Sequence, residues 1–465
     1  MDYDFIIIGG GSAGYAAART ANSLGLRTAV IESAKEMSGL CILRGCMPSK
    51  TLLESAHRAH IIRHASKFGL RAENFSVNGK EIIARKRKLI EEFAGYRREQ
   101  LESGKFDLIR GRASFVDTHT LTIEPLDGGE TRVVQATAFL LSTGSSISHP
   151  AIPGLVEIGY MTSDDVLDSE IIPPSVIVLG GGAIAVELAT YYNGLGSKVT
   201  LIQRSAQLLK EMDVDVTTEL ADGLRRRGIV VFTNTKLERA EKYGDGKRIV
   251  FIHEGESKIV ESAEIVQCLG RVPNLDGLQL ANAGIADVNY LTVKSTQQTT
   301  QPHIFAAGDV AGPYEVVHIA IQQGEIAARN AERIIKTTNE TLGETDYRLK
   351  LFVVFSEPQV AAVGLTEKEA AEQNLPVRNA QYPFNDHGKS MCMGETDGFV
   401  KLIVNNSGEI VGGAVVGPHA SDLIHEIVVA MHFRSTATQL AAIPHYHPTL
   451  SEIWSYPAEE LQDTV

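Results

Sequence analysis

Residues 3–14, YDFIIIGGGSAG, begin with an apolar run typical of a buried strand and end in a glycine turn. Gly9, Gly11 and Gly14 have the GxGxxG spacing, and a helix-like segment follows them. The first glycine permits a tight turn, the second lets the backbone approach a pyrophosphate, and the third lets helix and strand pack closely. Glu32 ends the next strand-like run, where a carboxylate can bind a ribose diol. The stretch therefore predicts a Rossmann-like dinucleotide-binding domain.

A second copy of this pattern begins with residues 173–182, PPSVIVLGGG. Gly180 and Gly182 repeat the first two glycines, while Ala185 takes the third position and loosens the packing slightly. A helix-like and a strand-like segment follow in the same order as before. A period of about 170 residues indicates a duplicated domain rather than a solenoid repeat. The chain is therefore predicted to contain two dinucleotide sites.

The two copies differ in charge at the end of the second strand. Glu32 stands 23 residues after Gly9, and the residue 23 positions after Gly180 is Gln203. A carboxylate there would repel a 2′-phosphate, whereas a neutral Gln203 with Arg204 and Lys210 nearby would attract one. We therefore expect NADPH at the second site, with NADH as an alternative if the two cations are ordinary surface charges. Two sites in one chain suggest a flavin and a nicotinamide that exchange hydride.

The length, charge and composition of the chain limit the classes of protein to which it can belong. A chain of 465 residues is too long for a single core, so several domains are expected. The net charge of −13 argues against a nucleic-acid surface, and no apolar run approaches the length that spans a bilayer. The opening strand follows no basic region or cleavage signal, so the expected location is the cytoplasm.

The rest of the chain alternates short apolar runs with helical periodicity, which is typical of an α/β protein. Residues 49–66 and 80–103 are expected to be long helices, and several short strands are expected at 110–143. From residue 349 the pattern favours an antiparallel sheet with helices, a separate α+β domain. The polar stretch 337–347 is the predicted linker.

Residues 39–50, GLCILRGCMPSK, contain two of the four cysteines of the chain. The pair could form a structural crosslink, half of a metal site, or a disulfide that opens and closes during catalysis. Zinc would require further ligands, and Cys268 and Cys392 stand alone. A structural bond between Cys41 and Cys46 would constrain very little chain. The redox interpretation is therefore preferred.

A second set of candidate ligands is formed by His57, His60 and His64, which share one face if their segment is helical. A metal site there is the alternative to a polar helix surface. No acidic or thiol partner is evident in the sequence, so no metal is predicted.

Five motifs, taken in order, resemble the pyridine nucleotide–disulfide oxidoreductases, the group that contains lipoamide dehydrogenase, glutathione reductase and mercuric reductase. The likeness covers essentially the whole chain. The motifs are IIIGGGSAG (6–14), the Cys41–Lys50 segment, GGGAIAVELA (180–189), IFAAGDV (304–310) and HPTLSE (447–452). The resemblance implies an α/β fold with two Rossmann-like domains and a C-terminal α+β dimerisation domain. The expected domains are FAD-binding at 1–147, NAD(P)-binding at 148–268, central at 269–340 and interface at 345–465.

The resemblance also implies roles for the cysteine segment. Cys46 would lie against the flavin as the charge-transfer thiol, and Cys41 would be the outer thiol that attacks the substrate. Lys50 and Glu187 would form an ion pair near the reactive edge of the flavin.

The C-terminal motif implies a catalytic pair and a dimer. His447 would be the acid–base, oriented by Glu452, and in this family that histidine comes from the other subunit, which implies a homodimer. The remaining cofactor contacts implied by the resemblance are Gly144, Gly308 and Asp309 for FAD and Arg271 for the nicotinamide nucleotide.

The sequence narrows the reaction within this family. Mercuric reductases carry a C-terminal cysteine pair, whereas this chain ends PAEELQDTV and keeps the His–Glu pair. Soluble transhydrogenases lack the complete cysteine pair. We therefore predict an FAD enzyme that passes electrons from NAD(P)H to a small-molecule or protein-bound disulfide, or the reverse as in dihydrolipoamide dehydrogenase. The alternatives are a flavoprotein that reduces quinones or another non-disulfide acceptor, and a binding subunit. Arg44, between the cysteines, would favour an acidic disulfide unless it only pairs with a local carboxylate or phosphate.

Overall fold

The computed structural model describes residues 1–286 and 289–462. The strands are β1 (Tyr3–Ile8), β2 (Thr28–Glu32), β3 (Asp107–Phe115), β4 (Thr120–Pro125), β5 (Arg132–Leu141), β6 (Ser145–Ile147), β7 (Ser175–Leu179), β8 (Lys198–Ile202), β9 (Val230–Phe232), β10 (Thr235–Tyr243), β11 (Gly246–His253), β12 (Glu256–Ser262), β13 (Glu264–Gln267), β14 (Arg271–Pro273), β15 (Ile304–Ala306), β16 (Leu351–Val354), β17 (Gln359–Gly364), β18 (Val377–Pro383), β19 (Phe399–Asn405) and β20 (Ile410–Gly417).

The helices are α1 (Ser12–Ser23), α2 (Gly39–Arg44), α3 (Cys46–Arg63), α4 (Gly79–Leu101), α5 (Leu155–Ile158), α6 (Ser163–Asp168), α7 (Ala183–Leu195), α8 (Val214–Arg226), α9 (Val317–Ile335), α10 (Glu367–Glu372), α11 (Gly388–Met393), α12 (Ala420–His432), α13 (Ala437–Ala441) and α14 (Ser455–Glu460). Within the described ranges, no helix has both the length and the apolar composition needed to cross a bilayer.

The described residues form two compact units, and the first comprises residues 1–49, 84–148 and 271–346. Its sheet places β1 between β2 and β5 in parallel pairing, with β3 beyond β2 and β15 beyond β5. Successive side chains of β1 point to opposite faces, so Phe5 and Ile7 join one apolar core while Ile6 and Ile8 join another. Helices α1 and α9 pack against each other on the Phe5 face.

The second unit comprises residues 50–83, 149–270 and 347–465. Its parallel sheet has the order β13-β7-β8-β9, and α7 follows β7 as α1 follows β1. A five-stranded antiparallel sheet, in the order β16-β17-β20-β19-β18, carries α12 on one side and buries Trp454 in its core. The predicted restart of the strand–turn–helix pattern and the C-terminal α+β region are both present.

The cysteine segment departs most clearly from the predicted elements. The helix expected at 49–66 begins at Cys46, and the residues before it form the separate short helix α2. Gly45 separates the two helices, and a Cβ on it would lie 3.1 Å from both the Cys41 Cα and the Leu40 carbonyl oxygen. A residue with a side chain at position 45 would push the helices apart, so the glycine allows the chain to turn there.

Candidate active site

The first glycine turn joins β1 to α1. Gly9 has φ +105°, and a Cβ there would lie 2.3 Å from the Ser142 carbonyl oxygen. A Cβ on Gly14 would lie 1.9 Å from the Gly9 carbonyl oxygen, so α1 is in direct backbone contact with the turn. Gly11 precedes α1, and no side chain in the described chain caps this end of the helix. Its amide groups therefore remain available to a phosphate, and the turn fits a dinucleotide.

Glu32 holds the first turn from the end of β2. The carboxylate is buried and accepts hydrogen bonds from the Gly10 amide at 2.9 Å and the Ala34 amide at 2.7 Å. Each carboxylate oxygen can accept more than one hydrogen bond, so Glu32 can still receive a ribose hydroxyl. The residue thus lies where the sequence predicted it, and it also orders the backbone of the turn.

Asp309 and Arg271 meet at Ser145 in the same unit. The Ser145 hydroxyl donates to the Asp309 carboxylate at 2.7 Å, and Arg271 donates to the Ser145 hydroxyl at 2.8 Å and to its carbonyl oxygen at 2.7 Å. Gly308 has φ +78° and donates its amide to the Gln323 side chain. Ser145 and Gln323 were not anticipated from the sequence, because these contacts join segments that are far apart along the chain.

Two further groups surround this point. Gly144, with φ +73°, accepts a hydrogen bond from the Asn274 amide at 2.9 Å. Burial raises the pKa of the Glu315 carboxyl, Asp309 raises it further, and Arg271 lowers it. The region therefore combines a fixed backbone with two carboxyl groups, Asp309 and Glu315, and one cation, Arg271.

The cysteine segment lies against the first glycine turn. Gly39, which begins α2, approaches Gly11 so closely that a Cβ on it would lie 2.8 Å from the Gly11 Cα. Cys41 lies in α2, and Cys46 begins α3. Both cysteines are half-buried. The two thiols and the turn that fits FAD are therefore in the same unit and joined by a direct backbone contact.

Lys50 and Glu187 form the ion pair that the resemblance implied. The Lys50 ammonium donates to both carboxylate oxygens of Glu187, at 2.8 and 2.9 Å. The same carboxylate accepts the Phe355 amide at 3.0 Å, and the Lys50 ammonium lies 4.8 Å from the Phe355 ring centroid. Glu187 is buried, so the pair holds α3 and α7 together in a defined geometry.

His447 contacts Glu452 as expected, and the carboxylate has a second imidazole neighbour. His447 Nδ1 lies 3.0 Å from one Glu452 oxygen, and its side chain is 80% exposed. His387 is fully buried, with Nε2 3.4 Å from the other Glu452 oxygen and Nδ1 2.9 Å from the Ser390 hydroxyl. Burial lowers the pKa of His387, although the Glu452 carboxylate opposes this shift, and so favours the neutral imidazole. His387 was not found from the sequence, since it lies 60 residues before His447.

The second glycine turn repeats the first with different side chains. Gly180 has φ +121°, and a Cβ there would lie 2.3 Å from the Cys268 carbonyl oxygen. Gln203 folds back over the turn, and its side-chain oxygen accepts the Arg204 amide at 3.0 Å. Arg204 and Lys210 are exposed, and Lys210 lies 3.4 Å from Glu211. Burial raises the pKa of the Cys268 thiol to about 12, so this thiol is inert.

The three histidines of α3 do not form a metal site. His57 Nδ1 lies 2.6 Å from the Glu357 carboxylate, which raises the pKa of His57, while burial lowers the pKa of His60 to about 4. His64 Nδ1 contacts the His60 carbonyl oxygen at 2.9 Å. In the part of the chain that the structure describes, no three His, Cys, Asp or Glu side chains are arranged to hold a metal ion.

The comparisons with known proteins agree with this geometry. Residues 3–324 match the family model for pyridine nucleotide-disulphide oxidoreductases, and residues 352–457 match the dimerisation domain of the same family. The chain belongs to this family. It is an FAD-dependent pyridine nucleotide–disulfide oxidoreductase, and the second match supports a homodimer.

Individual relatives cover the chain almost completely. Dihydrolipoyl dehydrogenase from Chlamydia trachomatis is 34% identical over 99% of this chain and 97% of its own length. Dihydrolipoyl dehydrogenase from Geobacillus stearothermophilus is 32% identical, with 99% and 96% covered.

Solved structures show the same fold. LpdA from Mycobacterium tuberculosis superimposes with a TM-score of 0.87 at 28% identity, covering 99% of this chain and all of that one. The HOCl-induced flavoprotein disulfide reductase RclA from Escherichia coli has a TM-score of 0.84 at 26% identity, with 99% and 100% covered.

Proposed function

We propose that this enzyme uses NADPH to reduce a small-molecule or protein-bound disulfide through Cys46 and Cys41. The observation that carries the proposal is the direct contact between the helix of Cys41 and the first glycine turn. The Lys50–Glu187 pair and the His447–Glu452 pair support it, because both are formed with hydrogen-bond distances of 3.0 Å or less. FAD held at the first glycine turn would supply the electron pair that reduces the cysteine pair.

The side chains of the protein then carry the thiol chemistry. The Cys41 thiolate attacks one sulfur of the substrate disulfide, that bond breaks, and the first product leaves as a thiolate. His447 of the partner subunit protonates this thiolate. The Cys46 thiolate next attacks the Cys41 sulfur, which restores the Cys41–Cys46 disulfide and releases the second product as a thiolate that takes a proton from solvent. Two electrons thus pass from the dithiol to the substrate.

The His447–Glu452 pair is suited to the proton transfers of this reaction. An imidazole can give and accept a proton near neutral pH, and the Glu452 carboxylate fixes the tautomer and stabilises the imidazolium. The high exposure of His447 on this chain supports a role across a subunit interface, where the partner would cover it. We also propose a cytoplasmic location, where a reductase of this kind has its nicotinamide supply.

The preference for NADPH rests on the end of β8. Gln203 carries no charge there, and Arg204 is exposed next to it. Both features favour a 2′-phosphate. The similarity to dihydrolipoyl dehydrogenases supports an alternative in which the enzyme runs in the opposite direction. In that direction it would oxidise a dithiol to a disulfide.

The central test is rapid reduction of the holoenzyme by NADPH. Wild type and Cys41→Ser should develop a long-wavelength thiolate–flavin absorbance band, whereas Cys46→Ser should not. Cys392→Ser is the matched control, since that thiol is exposed and lies elsewhere in the fold. A band that persists in Cys46→Ser would contradict the role of Cys46.

The acceptor is tested separately with lipoamide, glutathione disulfide and a quinone. Cys41→Ser should lose turnover of every disulfide. If the disulfides are not reduced by wild type while the quinone is, the enzyme uses a non-disulfide acceptor and the proposal fails.

A further inference from the structure

Arg97 lies beside the cysteine segment in an unusual electrostatic setting. It belongs to α4, and its guanidinium carbon lies 4.1 Å from the centroid of the Tyr15 ring. Tyr15 stands in the first turn of α1, directly after Gly14. At that distance the aromatic face attracts the cation and fixes its position. Arg97 is thus held against the helix that begins at the first glycine turn.

The charge of Arg97 is not neutralised by a carboxylate among the residues that the structure describes. Its Nε atom is buried, and none of those residues accepts a hydrogen bond from it. Burial lowers the pKa of the guanidinium, and Tyr15 and Cys41 oppose that shift by favouring the charged form. The Ser38 hydroxyl donates to the Ala94 carbonyl oxygen at 3.1 Å, so the turn of α4 that carries Arg97 lies against the residues just before Cys41. An unpaired, partly buried guanidinium is costly, so this position favours an anionic partner.

Neighbouring arginines do not share this property. Arg98, the next residue, is exposed and forms an ion pair with Glu91 at 2.7 Å. Arg19, one turn after Tyr15 on α1, forms an ion pair with Glu325 at 2.8 Å. Each of these charges already has a partner within the chain. Arg97 therefore differs from both, because no described carboxylate pairs with its charge.

We propose that Arg97 recognises a carboxylate on the disulfide substrate, so that the enzyme prefers disulfides with an acidic group close to the sulfur atoms. This inference rests on the proposed disulfide reductase activity. The planar guanidinium can bind a carboxylate through two parallel hydrogen bonds, and the Tyr15 ring restricts its motion. The same cation stabilises the Cys41 thiolate that attacks the substrate.

A matched pair of substrates tests the charge directly. The holoenzyme is assayed with 3,3′-dithiodipropionate and with its neutral diamide, which have the same carbon skeleton. Wild type should show the higher kcat/KM for the diacid. Arg97→Gln should lower kcat/KM for the diacid by about tenfold or more, as expected for loss of a hydrogen bond to a charged group, and change that for the diamide by less than about threefold. Arg98→Gln should leave both values unchanged.

A second measurement is independent of disulfide turnover. The dithiothreitol-reduced holoenzyme is desalted and alkylated with iodoacetate or iodoacetamide, and modification of Cys41 is followed by peptide mass spectrometry. Arg97→Gln should slow the anionic reagent by about tenfold relative to the neutral one, while Arg97→Lys should retain part of the preference.

The outcomes separate the two proposals. Equal diacid and diamide kinetics in wild type, or an unchanged iodoacetate to iodoacetamide ratio in Arg97→Gln, would overturn the role of Arg97 while the reductase activity stands. If wild type reduces neither of these disulfides, nor lipoamide, nor glutathione disulfide, the proposed function fails, and the alkylation ratio still decides whether Arg97 attracts an anion to Cys41.

Discussion

The two glycine turns have the same backbone plan and differ in two side-chain positions. Gly14 in the first turn has no space for a Cβ, whereas the corresponding Ala185 in the second is buried and carries a methyl group. At the end of the adjoining strand, Glu32 accepts two amide hydrogen bonds, while Gln203 accepts one and carries no charge. The comparison shows that one strand–turn–helix design can tolerate different helix contacts, and under the proposed function its two copies select different nucleotides.

Substitutions at the third position of the two turns, Gly14 and Ala185, should differ most in their effect on the unfolding free energy. Gly14→Ala places a Cβ 1.9 Å from a backbone oxygen that cannot move independently, so we expect a loss of about 3 kcal/mol or more in unfolding free energy together with loss of bound FAD. Ala185→Gly should cost about 1 kcal/mol, the helix-propensity difference. Thermal unfolding and flavin absorbance measure both. Full FAD content and a wild-type Tm in Gly14→Ala would contradict the importance of that contact.

The strand-end carboxylate should give the next largest effect. Glu32→Gln leaves one side-chain oxygen to accept what two oxygens accept now, so one buried amide loses its partner, at about 1–3 kcal/mol. FAD affinity should fall, while the KM for NADPH should change by less than about twofold. Fluorescence titration of the apoprotein with FAD measures the first quantity. Unaltered FAD affinity and stability would show that the carboxylate is not needed in the first turn.

The cation beside the second turn should affect the choice of nucleotide. Arg204→Ala should raise the KM for NADPH by about tenfold and that for NADH by less than about twofold, because the 2′-phosphate loses one charge-assisted contact. Arg225→Ala is the control, since this exposed arginine on α8 is paired with Asp222 at 2.8 Å. Steady-state kinetics with both nucleotides provide the comparison. Equal effects on NADPH and NADH would exclude phosphate recognition by Arg204.

The middle glycine of the second turn should separate binding from folding. A Cβ on Gly182 meets no heavy atom within 4 Å, so Gly182→Ala should change the unfolding free energy by less than about 0.5 kcal/mol. A pyrophosphate that approaches this backbone would meet the new methyl group, and the KM for NADPH should rise severalfold. Lower stability of Gly182→Ala with an unchanged KM for NADPH would show that Gly182 serves folding and not nucleotide binding.

Local patterns predicted the elements around the two turns well. The strand, glycine turn and helix predicted from residues 3–14 are present as β1 and α1, and those predicted from residue 173 onward are present as β7 and α7. The α/β class with a C-terminal α+β region is also confirmed. These features depend on apolar periodicity and on glycine spacing, both of which are local properties of the chain.

Contacts between distant segments could not be predicted in the same way. His387 beside Glu452, Arg97 over Tyr15 and Arg271 on Ser145 all join residues far apart in sequence. The start of α3 at Cys46 was missed because the residues around Gly45 have no clear helical period. The assigned roles of the catalytic residues remain predictions that the experiments above will decide.

The pairing of α3 with α7 has a mechanical consequence. Near the start of both helices Lys50 binds Glu187, and near their ends Arg63 donates to carbonyl oxygens of α7, at 2.7 Å for one of them. At the Arg63 end, Gly194 approaches Ala56 so closely that a Cβ on the glycine would lie 2.9 Å from the Ala56 side chain. The two helices are therefore parallel and fastened at both ends, with little free space between them.

The two helices therefore behave as one rigid body, because close-packed protein interiors are hardly compressible and transmit strain. A displacement of the first turn of α7 would be passed to residues 50–63 of α3, with little of it lost in side-chain rearrangement.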